Sequence, residues 1–238
     1  MIIIAISIYG LLAGIVTGLG ALIAIAIGEI TNRVLSVSLG FASGIMIGIS
    51  TLSLIPSSLE ISNPYICAAG FIAGALFLFL IDITMPHIHK VETDCDNFAK
   101  MGYFIALGIA LHNLPEGIAI GATNEISHEM GVITAVTIGL HNIAEGLCVA
   151  MPLCLGNVRK RRVVSITTFT GLSTLLGTWL GMFFGLISPL YIAFFLAFAA
   201  GAMIYISSDE LIPKSHSTHS EFANIGILGG FAFALLLS

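Results

Sequence analysis

Two short segments carry the residues best able to do chemistry. One reads His112-Asn113-Leu114-Pro115-Glu116-Gly117 and the other His141-Asn142-Ile143-Ala144-Glu145-Gly146. An imidazole, a carboxamide and a carboxylate recur at one spacing. On a helix, residues advance about 100° apiece, so Glu116 lies about 40° from His112 and Asn113 about 100° from it. The carboxylate stands angularly between the imidazole and the amide. It can join the histidine in one ligand set, the asparagine in another, or bridge the two. The same holds for His141, Asn142 and Glu145. Two imidazoles and two carboxylates suit a divalent transition metal, with nitrogen for borderline ions and oxygen for harder ones; Zn²⁺, Fe²⁺, Mn²⁺ and Cd²⁺ all qualify. Pro115 removes a backbone donor and predicts a kink that frees a carbonyl beside the site.

Composition shows what must hold these residues. The chain is 57% hydrophobic and 9% charged, whereas a soluble domain carries about 25% charged residues. Too little polar surface is present to cover a soluble globule, so the class is an all-α integral membrane protein. Eight basic residues form no stripe or patch of the size that nucleic acid requires. A span needs about 20 mostly apolar residues, and eight stretches qualify: 2–27, 35–59, 65–85, 100–122, 130–155, 163–187, 190–212 and 222–238. Ser62-Asn63-Pro64 and Ser188-Pro189 are tight connections that make sequence neighbours antiparallel. No linker divides the chain, so residues 1–238 form one transmembrane domain. The apolar start lacks a basic leader region and reads as a true span over Met1 to Ile27.

The two clusters begin about eleven or twelve residues into spans four and five, or about 17 Å at 1.5 Å per residue, which is the bilayer midplane. A lone intramembrane histidine or asparagine is more often glue between helices. Two matched clusters at one depth on oppositely directed helices are what a shared site requires. Arg33, Lys90, Lys100, Arg159, Lys160, Arg161, Arg162 and Lys214 are all the basic residues, and all fall in connections on one side. The positive-inside rule makes that side cytoplasmic and both termini extracytoplasmic. Gly10, Gly14 and Gly18 recur every four residues, a spacing that lets helices approach closely in lipid. Cys67, Cys95, Cys148 and Cys154 show no metal-binding or disulfide-framework spacing.

The paired HNLPEG and HNIAEG segments resemble the signature of the ZIP (Zrt-/Irt-like protein) family of metal-ion transporters. FASGIMIGISTLSLIP in span two, GALFLFLIDITMPHIH in span three and GAMIYISSDELIP in span seven resemble the family's corresponding helices. The resemblance implies a transport site made by His112, Glu116, His141 and Glu145, with Met46 as a soft ligand nearby. Read without the family, Met46 is a helix-packing residue. The resemblance also implies a second, weaker metal position at Asn113, Asn142, Glu116 and Glu145. Members that hold a second ion tightly have a Glu on span six, where this chain has Thr174. A hydroxyl is the poorer ligand, so one principal ion is expected. The same resemblance makes Ser53 and Glu60 an entry path. It makes Asp82, His87, His89, Asp209 and Glu210 an exit path, with weak, pH-sensitive binding suited to release. His216 and His219 fall in the next cytoplasmic loop.

The expected activity is gradient-driven import of a divalent metal, Zn²⁺ first. No GxxxxGK[ST] motif or aspartyl-phosphate domain is present, so ATP does not drive it directly. An elevator-like shift of spans four and five is implied by the resemblance alone. The rival from another class is an intramembrane metal-dependent hydrolase that activates water on the same cluster. The HExxH arrangement is absent and the carboxylates are consumed as ligands. The expected partners are the metal as substrate, the lipid bilayer and a second copy of the chain in a homodimer. Short loops point to a prokaryotic inner membrane.

Overall fold

The computed structural model describes residues 2–84, 95–185 and 187–237, and every element among them is helical. Helices α1 (Ile2–Ile15) and α2 (Thr17–Ile27) form one apolar rod. Helix α3 (Asn32–Ile49) runs through a π-helical turn, Ser50–Leu54, into α4 (Ile55–Ile61). There follow α5 (Pro64–Thr84), α6 (Cys95–Ile126), α7 (His128–Leu155) and α8 (Lys160–Gly185). Helix α9 (Pro189–Ile206) passes through a second π-helical turn, Ser207–Leu211, into α10 (Ile212–Leu237). The polar segment before span four is partly helical: α6 begins at Cys95, ahead of the expected start near residue 100. His216 and His219 are likewise in α10 rather than in a loop, although His219 has non-helical backbone angles (φ −164°, ψ 103°). Polar residues end a membrane span without ending a helix.

Side chains close the short connections. Thr31 accepts from the Val34 amide at 3.3 Å, Ser127 from Met130 at 3.1 Å and Ser188 from Leu190 at 3.3 Å. Asn63 Oδ1 accepts from the amides of Tyr65 and Ile66 at 3.0 and 3.2 Å. Each satisfies amides that a helix start leaves without an internal partner. Both π-helical turns lie just before a proline, Pro56 and Pro213. A proline ring crowds the carbonyl four residues back, and a widened turn accommodates it.

Among the described residues, seven helical stretches are long and apolar enough to cross a membrane. The last, Pro189–Leu237, has 49 residues, about 74 Å against a hydrocarbon core of about 30 Å. It does not run straight. Ser207 meets Met46 and Ser215 meets Ser36, so the stretch first descends along α3. Gly40 then lies against the Ala223 carbonyl and Gly44 against that of Ile227, while Gly48 lies against the Ala234 methyl. The chain has turned near His219 and climbs back beside α3. The stretch is a hairpin with two antiparallel limbs.

The interior mixes apolar side chains such as Leu39, Ile109 and Leu196 with buried polar ones such as Thr17, Thr174 and Ser207, and the exterior is apolar. Ile72, Phe169 and Leu228 face outward. Gly10, Gly14 and Gly18 all abut α8, at Thr178, Gly171 and Thr168, as small residues do where lipid supplies no hydrophobic drive and packing must hold helices together. Helices α3, α6 and α8 run in one direction, and their starts place Arg33, Lys100 and Arg159 to Arg162 at one end of the molecule.

An approximate two-fold relation organises these contacts. One constant shift in numbering carries Ser58 onto Ser215, Ser36 onto Ala193 and Ala13 onto Thr170. The contacts obey it. The Ser58 hydroxyl donates to the Ala193 carbonyl at 2.7 Å, and the Ser215 hydroxyl to the Ser36 carbonyl at 2.7 Å. Gly20 packs on the Ile143 carbonyl as Gly177 packs on that of Leu114. Gly14 and Gly171 face each other's carbonyls, close to the axis. Helices α6 and α7 exchange across it.

Candidate metal centre

Helices α6 and α7 are antiparallel neighbours joined at Ser127, which brings the two His-Asn-x-x-Glu segments face to face. The Glu116 Oε1 atom lies 2.9 Å from His112 Nε2 and 2.6 Å from His141 Nε2. Glu145 Oε1 lies 3.0 Å from His112 Nε2 and 3.8 Å from His141 Nε2. All four side chains are buried. Glu116 thus links the imidazoles of the two helices, an arrangement that the spacing within one segment does not include.

The spacing suits an ion. With bonds of about 2.0–2.1 Å, tetrahedral ligands stand about 3.3 Å apart. The observed separations bracket that figure. The ligand atoms of His112, Glu116 and Glu145 all lie within 4.8 Å of one another, and His141 adjoins them through its contact with Glu116. The second oxygens of Glu116 and Glu145 and the Nδ1 atoms of both imidazoles have no hydrogen-bonding partner. Buried polar atoms are almost always satisfied, so the unused lone pairs of the carboxylates in this cluster suit a bound cation.

Asn113 and Asn142 take a different course. The Asn113 amide donates to the Thr170 carbonyl at 3.2 Å, tying α6 to α8. The Asn142 amide donates to the Ala13 carbonyl at 2.8 Å, tying α7 to α1. Each Oδ1 stays buried without a partner. Thr174 is buried with an unpartnered hydroxyl, and so is Thr17, its two-fold counterpart. Sequence reasoning did not find Thr17, because a lone threonine in an apolar span gives no signal of its own.

A cavity of about 250 Å³ reaches the cluster, with Glu116 and His141 on its wall. Its lining includes Ser53, Ser57, Thr134 and Leu237, all at the end of the molecule opposite the basic residues. Ser53 lines this cavity, while Glu60 is exposed near the end of α4. Ser57, Thr123, Thr134 and Met203 line the same space and were not expected from the sequence. Met46 is fully buried, and its sulfur accepts from the Ser207 hydroxyl at 3.7 Å. In the second π-helical turn Asp209 is exposed and Glu210 buried. Asp82 belongs to α5, but its side chain lies outside the described residues, as do His87 and His89 entirely.

Comparison with known proteins decides the family. The family model described as ZIP Zinc transporter matches residues 88–238. A Chlorobium luteolum protein named zinc transporter ZupT is 36% identical over 249 aligned positions, covering 95% of this chain and 94% of the relative. The chain belongs to the ZIP family. Proteins of the same name from an Enterobacter species and from Escherichia coli O7:K1 are 38% and 37% identical, covering 85% and 95% of this ZIP chain and 83% and 94% of their own lengths. ZIP proteins are transporters rather than enzymes, and this one is a multi-pass membrane protein.

Proposed function

We propose that this chain carries a divalent transition-metal ion into the cytoplasm through the His112, Glu116, His141 and Glu145 cluster. Zn²⁺ is the first expected cargo, in keeping with the names of its ZupT relatives; Fe²⁺, Mn²⁺ and Cd²⁺ fit the same ligand set. The observation that carries the reading is a buried pair of imidazoles and a buried pair of carboxylates reached by a cavity. The cavity opens away from the basic end. With that end cytoplasmic by the positive-inside rule, the ion enters from outside past Ser53 and Ser57. Asp82, His87, His89, Asp209 and Glu210 are the proposed exit residues, and Met46 a soft ligand near the cluster. Asn113 and Asn142, with the two carboxylates, are proposed for a weak second ion.

The proposed topology has eight spans in a single domain, both termini extracytoplasmic, in a prokaryotic inner membrane. The two limbs of the Pro189–Leu237 hairpin support the count. A homodimer is the proposed assembly. The test is uptake into liposomes holding purified protein, with Zn²⁺, Cd²⁺, Fe²⁺ and Mn²⁺ offered under an imposed gradient. Uptake by the wild type, strongly reduced by His112→Ala and by Glu145→Ala, is expected. Metal binding without movement in any gradient overturns transport; unchanged uptake in both variants overturns the site.

A further inference from the structure

The two-fold relation exposes one contact that is made on only one side. Segments FASGIMIGISTLSLIP (41–56) and FAAGAMIYISSDELIP (198–213) agree at most positions, and each holds its π-helical turn at the same place. Met46 corresponds to Met203, and Ser50 to Ser207. The contact between Met46 and Ser207 therefore has an image, Met203 with Ser50. Where the Ser58 to Ala193 bond and its image from Ser215 to Ser36 are both present at 2.7 Å, this pair is not. The Ser207 hydroxyl donates to the Met46 sulfur at 3.7 Å. The Ser50 hydroxyl is buried and has no partner. Met203, fully buried, instead borders the cavity that also exposes Glu116 and His141.

A thioether is a soft ligand for Cd²⁺ and Zn²⁺-like ions, and a buried hydroxyl without a partner costs stability that the packing must offset. A state in which Ser50 meets Met203 removes that cost. Met46 lies in α3 and Ser50 in the π-helical turn that continues it, while Met203 lies in α9 and Ser207 in the turn that follows, so both pairs belong to the same two helical stretches. Resting on the transport-site reading above, we infer that Met203 is a thioether ligand for the incoming ion on the cavity side of the cluster. Ser207 and Ser50 hold, in alternation, whichever methionine is withdrawn from the ion. Met46 serves the ion on the opposite side, so each facing state offers one sulfur and latches the other.

Cadmium X-ray absorption on purified protein tests the ligand without requiring transport. Cd²⁺ bound to Met46→Leu protein is expected to retain a sulfur neighbour beside its nitrogen and oxygen shell. Adding Met203→Leu removes that sulfur and leaves the other shell intact, which also shows that the variant is folded. The cysteines are common to both proteins, so the difference belongs to Met203. An unchanged sulfur signal in the double variant, or none in Met46→Leu protein with an intact nitrogen and oxygen shell, overturns the inference. Wild-type protein that binds Cd²⁺ with sulfur but moves none leaves it standing and sinks only the transport reading. The latch is read separately, with native cysteines replaced by alanine and Thr134→Cys labelled by an impermeant maleimide from the cavity side. Ser207→Ala is expected to lower labelling about twofold and Ser50→Ala to raise it about twofold, the scale of one weak hydrogen bond. Shifts of the same sign overturn the alternation.

Discussion

Glu116 and Glu145 occupy equivalent positions in the two segments, yet they are not equivalent in contact. Glu116 Oε1 is within 2.9 Å of both imidazoles, whereas Glu145 approaches His112 at 3.0 Å and His141 only at 3.8 Å. Removing Glu116 leaves two buried imidazoles without their shared acceptor. Metal uptake by Glu116→Ala is therefore expected to fall further than by Glu145→Ala, with at least about a hundredfold loss for the former, since even outer partners of metal ligands are worth about 10–100-fold. Initial-rate uptake of Zn²⁺ in liposomes measures the order, and equal losses would contradict it. Thr174 gives a second prediction at this scale. It is buried beside the Asn113 helix with its hydroxyl unpartnered. Thr174→Glu supplies a carboxylate in place of this hydroxyl, and bound zinc by elemental analysis should rise from about one to about two per chain, because a carboxylate is the far stronger ligand for such ions. A stoichiometry that stays near one would show that the amides are held too firmly by Thr170 and Ala13 to take part.

The elements are held at contact distance by glycines whose roles differ sharply. Gly117 and Gly146 have no room for a methyl group: it would strike the Thr174 carbonyl in one case and that of Thr17 in the other. These glycines follow the two glutamates directly, so a helix forced outward there also moves the cluster. Gly117→Ala and Gly146→Ala are each expected to destabilise the protein by about 1–3 kcal/mol, the usual range for overpacking. Thermal unfolding in detergent reads this effect. Gly229 meets only a ring atom of Phe41 at ordinary contact distance, so Gly229→Ala serves as the control and is expected to leave the midpoint unchanged. Loss of stability in the control alone would refute the packing account.

For the molecule as a whole, the two limbs of Pro189–Leu237 and the shared end of the basic residues bear on topology. If the chain crosses eight times with its basic end in the cytoplasm, the Ser62 turn faces outside and the α10 start faces inside. An impermeant thiol reagent added to intact cells should label Tyr65→Cys, exposed just after that turn, and spare Ser217→Cys, both made without the native cysteines. Labelling of both, or of Ser217→Cys alone, would reverse or break the proposed arrangement.

Much of this was legible because lipid simplifies the problem. With no water to satisfy the backbone, apolar runs of sufficient length become helices, and the cost of buried charge makes His112, Glu116, His141 and Glu145 conspicuous in spans four and five. Their shared depth followed from counting residues. Other features required the folded chain. Whether each glutamate would bridge depended on the approach of α6 to α7, which no within-segment spacing encodes. The diversion of Asn113 and Asn142 to the carbonyls of Thr170 and Ala13 depended on neighbours that lie far away in sequence. Met203 and Ser50 read as ordinary apolar and small polar residues of a span. Only the antiparallel pairing of α3 with α9 sets them opposite each other and leaves the Ser50 hydroxyl without the contact that Ser207 makes. Composition and spacing determined the helices and the ligand types; which ligands meet, and on which side, was decided by packing between distant helices, where small residues let backbones touch.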